Sequence, residues 1–246
     1  MTHCDDSARD DSASAAPQTG SPGTRSPGTR SPRTGSPRTG SAQTGSTGNR
    51  SPGKPSRIWY VSYGSNMCRA RFTHYLAGGR PDGARRSYPG ARDSTAPTDD
   101  AAVELPGRIY FAGRSRTWGG GMAFYDHDAN GPAPARAYLI TVGQFADVAA
   151  QEMHRLPDPA DPIEQVLIDG FAGGRHSAGP GRYETLIEVG ARDGLPMYTF
   201  TAPHGSAAVP HTPPTRPYLA MLAVGLRESQ GWDDERIEDY LRSAIG

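Results

Sequence analysis

Glu152 is the residue whose position most invites chemistry. It stands seven residues after Phe145, four after Val148 and four before Leu156. At 3.6 residues per turn these spacings put all four side chains on one stripe of a helix. A carboxylate that faces an apolar stripe loses hydration, and its pKa rises toward the neutral range in which a general acid/base works. Two other readings stay open on the pattern alone: the carboxylate lies at the edge of the stripe, or it pairs with an arginine such as Arg155 or Arg182.

A second group of residues closes an aromatic and β-branched run. After Ile58-Trp59-Tyr60-Val61-Ser62-Tyr63 the chain turns at once through Gly64-Ser65-Asn66. Glycine allows a positive φ, and successive amide N–H groups in such a turn form a nest for an anion, with the Ser65 and Asn66 side chains adding polar groups. The same residues also spell an ordinary turn. Ser65 lacks the G-x-S-x-G surroundings of a nucleophile elbow and is not read as a nucleophile.

Gly119-Gly120-Gly121 follows Trp118 and precedes a strand-like Met122-Ala123. Such glycines let a backbone approach a ligand closely beside an apolar wall, or simply make a flexible hairpin approach. No phosphate-cradling glycine motif is present, so nucleotide binding is not indicated. The seven histidines are scattered with no i, i+4 pair, and the two cysteines are Cys4 and Cys68. Neither a metal site nor any other cofactor is expected, and Cys68 has no disulfide partner in the folded part.

The elements that must position these groups are mostly short strands. Besides the opening run, strand signals cover 108–113, 122–125, 136–142, 165–169, 183–189 and 197–201, separated by Gly, Pro and Asp clusters. The polar stretch 75–107 shows no sustained period and reads as a long irregular loop with at most one short strand. Helices are few and placed late. One covers 144–156, with Asp147, Gln151 and His154 opposite the apolar stripe; a second begins near Pro217; a third follows Asp233 as N-cap. Strands followed by helices predict an α+β fold with mixed or antiparallel pairing, not a doubly wound sheet.

Composition divides the chain. Residues 12–57 run through imperfect five-residue repeats such as SPGTR and SPRTG, with almost no aliphatic side chain. They cannot bury enough apolar surface to offset the entropy of ordering, so 1–56 is expected to be a disordered leader and 57–246 the folded domain. Of the 26 basic and 26 acidic residues, eight basic and four acidic fall in the first 57 positions. The leader is therefore basic and the domain slightly acidic. Without interleaved aromatics, that basic charge is a weak case for nucleic acid. No run near the N-terminus or elsewhere is apolar for about 18 residues, so no membrane contact is expected and the expected location is cytoplasmic.

These pieces, in this order, resemble the γ-glutamylcyclotransferase family. Tyr60-Val61-Ser62-Tyr63-Gly64-Ser65-Asn66 is similar to its Y-x-x-Y-G-S-N opening, and Thr117-Trp118-Gly119-Gly120 resembles its T-W-x-G-G segment. Ala150-Gln151-Glu152 looks like the helix end that carries the family's catalytic glutamate. Arg182-Tyr183 resembles a Tyr-led strand, and Pro213 to Tyr218, followed by a helix ending near Gly225, resembles the segment bearing a substrate-contacting tyrosine. The likeness spans 59–241 in fragments. Two features depart from the family pattern: an insertion that opens at Met153 and runs to Tyr183, and the long basic loop 75–107.

The resemblance implies a small mixed or antiparallel, barrel-like sheet with a few packed helices. It implies a metal-independent enzyme releasing 5-oxoproline and an amine from a γ-glutamyl compound. Glu152 would be the acid/base, and Tyr60, Val61, Ser62, Tyr63, Gly64, Ser65, Asn66 and Tyr218 would bind the substrate. A non-catalytic module that binds a small metabolite or a partner on the same fold is the competing expectation.

Overall fold

The computed structural model describes residues 56–80 and 87–245. The leader expected at 1–56 lies outside these residues except for Ser56, as do 81–86 within the basic loop.

The fold is α+β. β1 (Arg57–Ser62) runs down the middle of a six-stranded sheet, where it pairs antiparallel with β5 (Pro132–Thr141) and parallel with β8 (Leu195–Thr201). β2 (Asp99–Pro106) forms one edge on β5, while β7 (Thr185–Arg192) and β6 (Arg175–Ser177) complete the other side in the order β2-β5-β1-β8-β7-β6. β3 (Arg108–Ala112) and β4 (Met122–Asp126) form a separate hairpin. It is tied to the large sheet through Thr201, whose hydroxyl accepts from the Tyr125 amide and donates to the Tyr125 carbonyl. The mixed pairing expected from the sequence is the pairing found.

Period two along β1 divides the core. Ile58 and Tyr60 face α1 (Arg69–Ala77), α2 (Val142–Glu152) and α3 (Pro162–Asp169), meeting Phe72, Phe145 and Leu167. Trp59, Val61 and Tyr63 face the hairpin, α4 (Arg216–Gln230) and α5 (Asp234–Ile245). Among the described residues, no helix is long and apolar enough to cross a membrane.

Several elements differ from their sequence-based expectation. Residues 165–169 belong to helix α3, not to a strand: Asp161 caps it by accepting from the Ile163 amide, Pro162 takes the first turn, and Ile163 and Leu167 bury together at i, i+4 spacing. The stretch 75–107 contains the eight-residue strand β2, whose edge position leaves half of its residues exposed and one buried and blurs the alternation. α1 follows the Gly64 turn directly, so the helices are not all late. α4 does not end near Gly225 but continues to Gln230, where Gly231 at φ 66° terminates it. Asp233 caps α5 as expected, accepting from the Arg236 amide at 2.9 Å.

Candidate active site

The end of β1 delivers the chain into a single turn of 3-10 helix, Ser65–Met67. Three contacts pin that turn. The Tyr138 hydroxyl donates to the Asn66 carbonyl at 2.8 Å, Arg136 Nη1 donates to the Met67 carbonyl at 3.0 Å, and α4 packs against it at Gly225. A Cβ on Gly225 would come within 2.6 Å of Met67 Cβ and 2.9 Å of the Cys68 nitrogen, so only glycine lets the helix lie that close. Gly64 itself sits at φ −115°, not in the positive-φ region anticipated for it. It lines the cavity instead, where a Cβ would be 3.7 Å from the Tyr218 hydroxyl.

Glu152 arrives from the other side of β1. A capping box starts α2: Thr141 Oγ1 accepts from the Gln144 amide at 3.1 Å, and Gln144 Oε1 accepts from the Thr141 amide at 3.0 Å. The helix then runs to Glu152 and stops, so the carboxylate occupies its last turn and not the middle of a longer stripe. Leu156, expected on that stripe, lies beyond the helix and is 76% exposed. Asp147 and Gln151, expected on a solvent face, are buried: Asp147 pairs with Arg92 at 2.8 Å, and Gln151 Nε2 donates to the Tyr75 carbonyl at 2.9 Å. The helix is enclosed on both faces, which a one-sided periodicity could not reveal.

Turn and helix end meet at a cavity of about 230 Å³. Asn66 Nδ2 donates to Glu152 Oε1 at 3.1 Å and lies 3.3 Å from the Tyr60 hydroxyl. Burial raises the Glu152 pKa, opposed by the Arg71 charge, by the Tyr75 and Asn66 side chains and by Arg182; burial prevails. Tyr60 and Tyr63 are raised by burial as well, and Tyr218 is pushed up to about 12, so all three are neutral hydroxyls at physiological pH.

Arg71 is the site residue that sequence reasoning missed. It is 6% exposed and lines the cavity. Its Nε donates to Ser65 Oγ at 2.8 Å and its Nη2 to the Tyr88 hydroxyl at 3.0 Å, while its guanidinium carbon lies 5.3 Å from the Trp118 ring centroid. Burial works against this charge, and Tyr75, Tyr88 and Glu152 outweigh it, so Arg71 stays protonated. Among the described residues no carboxylate forms an ion pair with it. A cation so placed is an anchor for an anion that enters the cavity.

The structure brings Tyr60, Ser62, Tyr63, Gly64, Ser65, Asn66, Glu152 and Tyr218 to the cavity wall. Val61 is the exception: it is fully buried on the opposite face of β1, as the strand period demands. The Tyr63 hydroxyl is committed to the Phe200 carbonyl at 2.9 Å, and the Tyr218 hydroxyl accepts from the Ala123 amide at 3.3 Å with Trp118 stacked at 5.6 Å. Two of the three glycines serve backbone packing. Side chains on Gly120 or Gly121 would overlap the backbone of 212–215, and the Gly121 amide bonds the Pro213 carbonyl at 3.0 Å. Among the described residues, no three His, Cys, Asp or Glu side chains cluster as a metal site requires.

Against known proteins, no family model matches the chain. Over 202 residues it is 30% identical to histone deacetylase 5 of Arabidopsis thaliana, a match that covers 76% of this chain and 31% of that protein. The chain thus spans about a third of the length of this curated relative. Among solved structures, it is similar to an uncharacterized human protein with a TM-score of 0.46 and 17% identity, covering 77% of this chain and 89% of the other. A γ-glutamyl cyclotransferase gives a TM-score of 0.44 and 16% identity, covering 76% of this chain and 88% of the other.

Proposed function

We propose that this chain is a cyclotransferase that converts a γ-glutamyl amide into 5-oxoproline and a free amine, with Glu152 as its acid/base. The observation that carries this reading is the cavity's charge plan. Among the described residues Glu152 is the single carboxylate that lines the cavity, and it shares the space with Arg71, a buried cation with no carboxylate paired to it among those residues. Arg71 suits the substrate's α-carboxylate, and Glu152 suits the α-amino group that must lose protons.

In the reaction the substrate supplies its own nucleophile. The α-ammonium gives up one proton, and the resulting amine attacks the γ-carbonyl carbon, forming the ring C–N bond. Glu152 takes the second proton from that nitrogen and delivers it to the amide nitrogen as its C–N bond breaks. The proton released first balances the charge on the departing amine, so substrate and products match in atoms and charge.

A carboxylate whose pKa is raised by burial is matched to this double role. Its hydrogen bond from Asn66 orients it for transfer between two neighbouring nitrogens. The amides of Ser65 and Asn66, in the first turn of the 3-10 helix, are suited to the oxyanion that develops on the γ-carbonyl oxygen.

The test is release of 5-oxoproline and amine in equal amounts from a panel of γ-glutamyl amino acids and γ-glutamyl alkylamines. Arg71 equally favours a second reading, a module that binds a small acidic metabolite without turning it over. That reading predicts ligand-dependent thermal stabilisation and no product from any member of the panel.

A further inference from the structure

A second depression adjoins the active-site cavity. It is a surface groove of about 510 Å³, and Met122 and Arg182 belong to the walls of both. Among the described residues the groove wall also includes Arg114, His204, Phe124 and Val209, and no Asp or Glu. Among the described residues, Arg182 has one hydrogen-bond partner, the Met122 sulfur at 3.3 Å, and Arg114 has none. A thioether is a weak acceptor, so the guanidinium keeps most of its donors available. Arg182 also acts electrostatically on Glu152, which places it at the junction of the two spaces.

We infer that this groove is the leaving-group subsite and that it selects γ-glutamyl compounds whose departing amine is an extended, anionic, peptide-like chain. The inference rests on the cyclotransferase reading for the identity of the head group. The cavity accommodates that head between Glu152 and Arg71. The part of the substrate beyond the scissile amide must leave the cavity, and the Met122–Arg182 wall opens onto two arginines without acidic neighbours in the groove. A cationic tail is repelled and a neutral one forms at most ordinary hydrogen bonds, whereas a carboxylate forms charge-assisted hydrogen bonds with their guanidinium forks.

The experiment measures binding by calorimetry to the Glu152→Gln protein, so that turnover does not interfere. The two probes are γ-glutamyl-alanyl-glutamate and its neutral counterpart γ-glutamyl-alanyl-glutamine amide. The expected result is about tenfold tighter binding of the anionic compound, the scale of one charge-assisted contact. Adding Arg114→Gln or Arg182→Gln should reduce that preference below about threefold. Arg114 is exposed, so its replacement tests the subsite without disturbing the core.

Equal affinities, or a preference that survives both replacements, would overturn the subsite while leaving the γ-glutamyl reading intact. No binding of either compound would overturn both. The preference without 5-oxoproline release by the wild-type protein would support the groove and defeat the reaction.

Discussion

Asn66 and Glu152 are joined by one hydrogen bond, Nδ2 to Oε1 at 3.1 Å, while Asn66 Oδ1 is buried with no acceptor role filled. The carboxylate fixes which way the amide points, because the reverse orientation would set two oxygens against each other. The Oδ1 of this side chain, 3% exposed, is therefore left without a donor among the described residues.

Replacing Asn66 should show in the pH profile. Its hydrogen bond lowers the Glu152 pKa, so Asn66→Leu raises that pKa further and moves the acidic limb of kcat/KM to higher pH. An acidic limb that stays in place would mean that Asn66 does not address the group that titrates.

Arg71→Gln is expected to raise KM by about ten- to a hundredfold with a smaller loss in kcat, as removal of a ground-state anchor does. Steady-state kinetics with a γ-glutamyl amino acid checks this. A variant that loses kcat alone would move Arg71 from anchoring to transition-state stabilisation.

Glu152 is a cost to stability that grows with pH. Its folded pKa is raised, so the folded state holds the proton over a range where the unfolded chain has released it. Stability then falls as pH rises from the ordinary glutamate range through the folded pKa. Glu152→Gln should consequently stabilise the protein more at pH 8 than at pH 4, by about 1.4 kcal/mol for each pH unit by which the folded pKa is raised. Thermal melts of both proteins across that range give the answer; a constant difference would argue that the carboxylate is not desolvated.

Gly225→Ala should destabilise the fold by about 1–3 kcal/mol despite alanine's better helix propensity, because the new methyl meets the backbone at Met67 and Cys68. The same shift displaces the Ser65–Met67 turn, so turnover should fall with stability. Denaturant titration beside an activity assay tests both; an unaffected or stabilised active variant would show that the turn tolerates displacement.

The legibility of each feature in the sequence depends on how local its signal is. Glu152 stands out because a helix announces itself through spacing, although the spacing extends the stripe one turn too far and takes in Leu156, which lies outside the helix. The Gly64 turn is visible, but the positive φ expected there is absent, and a Cβ would make only ordinary contact with the Tyr218 hydroxyl at 3.7 Å. Arg71 leaves no trace, since its burial depends on Ser65, Tyr88 and Trp118 converging from separate segments beside Tyr75 of its own helix. The partner of Gly120 and Gly121 likewise lies far along the chain at 212–215, so the glycines can be noticed but not explained. α3 reads as a strand because a short apolar run carries both periods, and the Asp161-Pro162 start decides for the helix.

Whether Glu152 carries the proton is tested most directly by 5-oxoproline formation from a γ-glutamyl amino acid under single-turnover conditions, with wild-type protein beside Glu152→Gln and both shown folded. If it does, the wild type forms product and the variant is slower by at least about a hundredfold, the scale of a general acid/base contribution. Comparable rates for the two proteins would contradict that role.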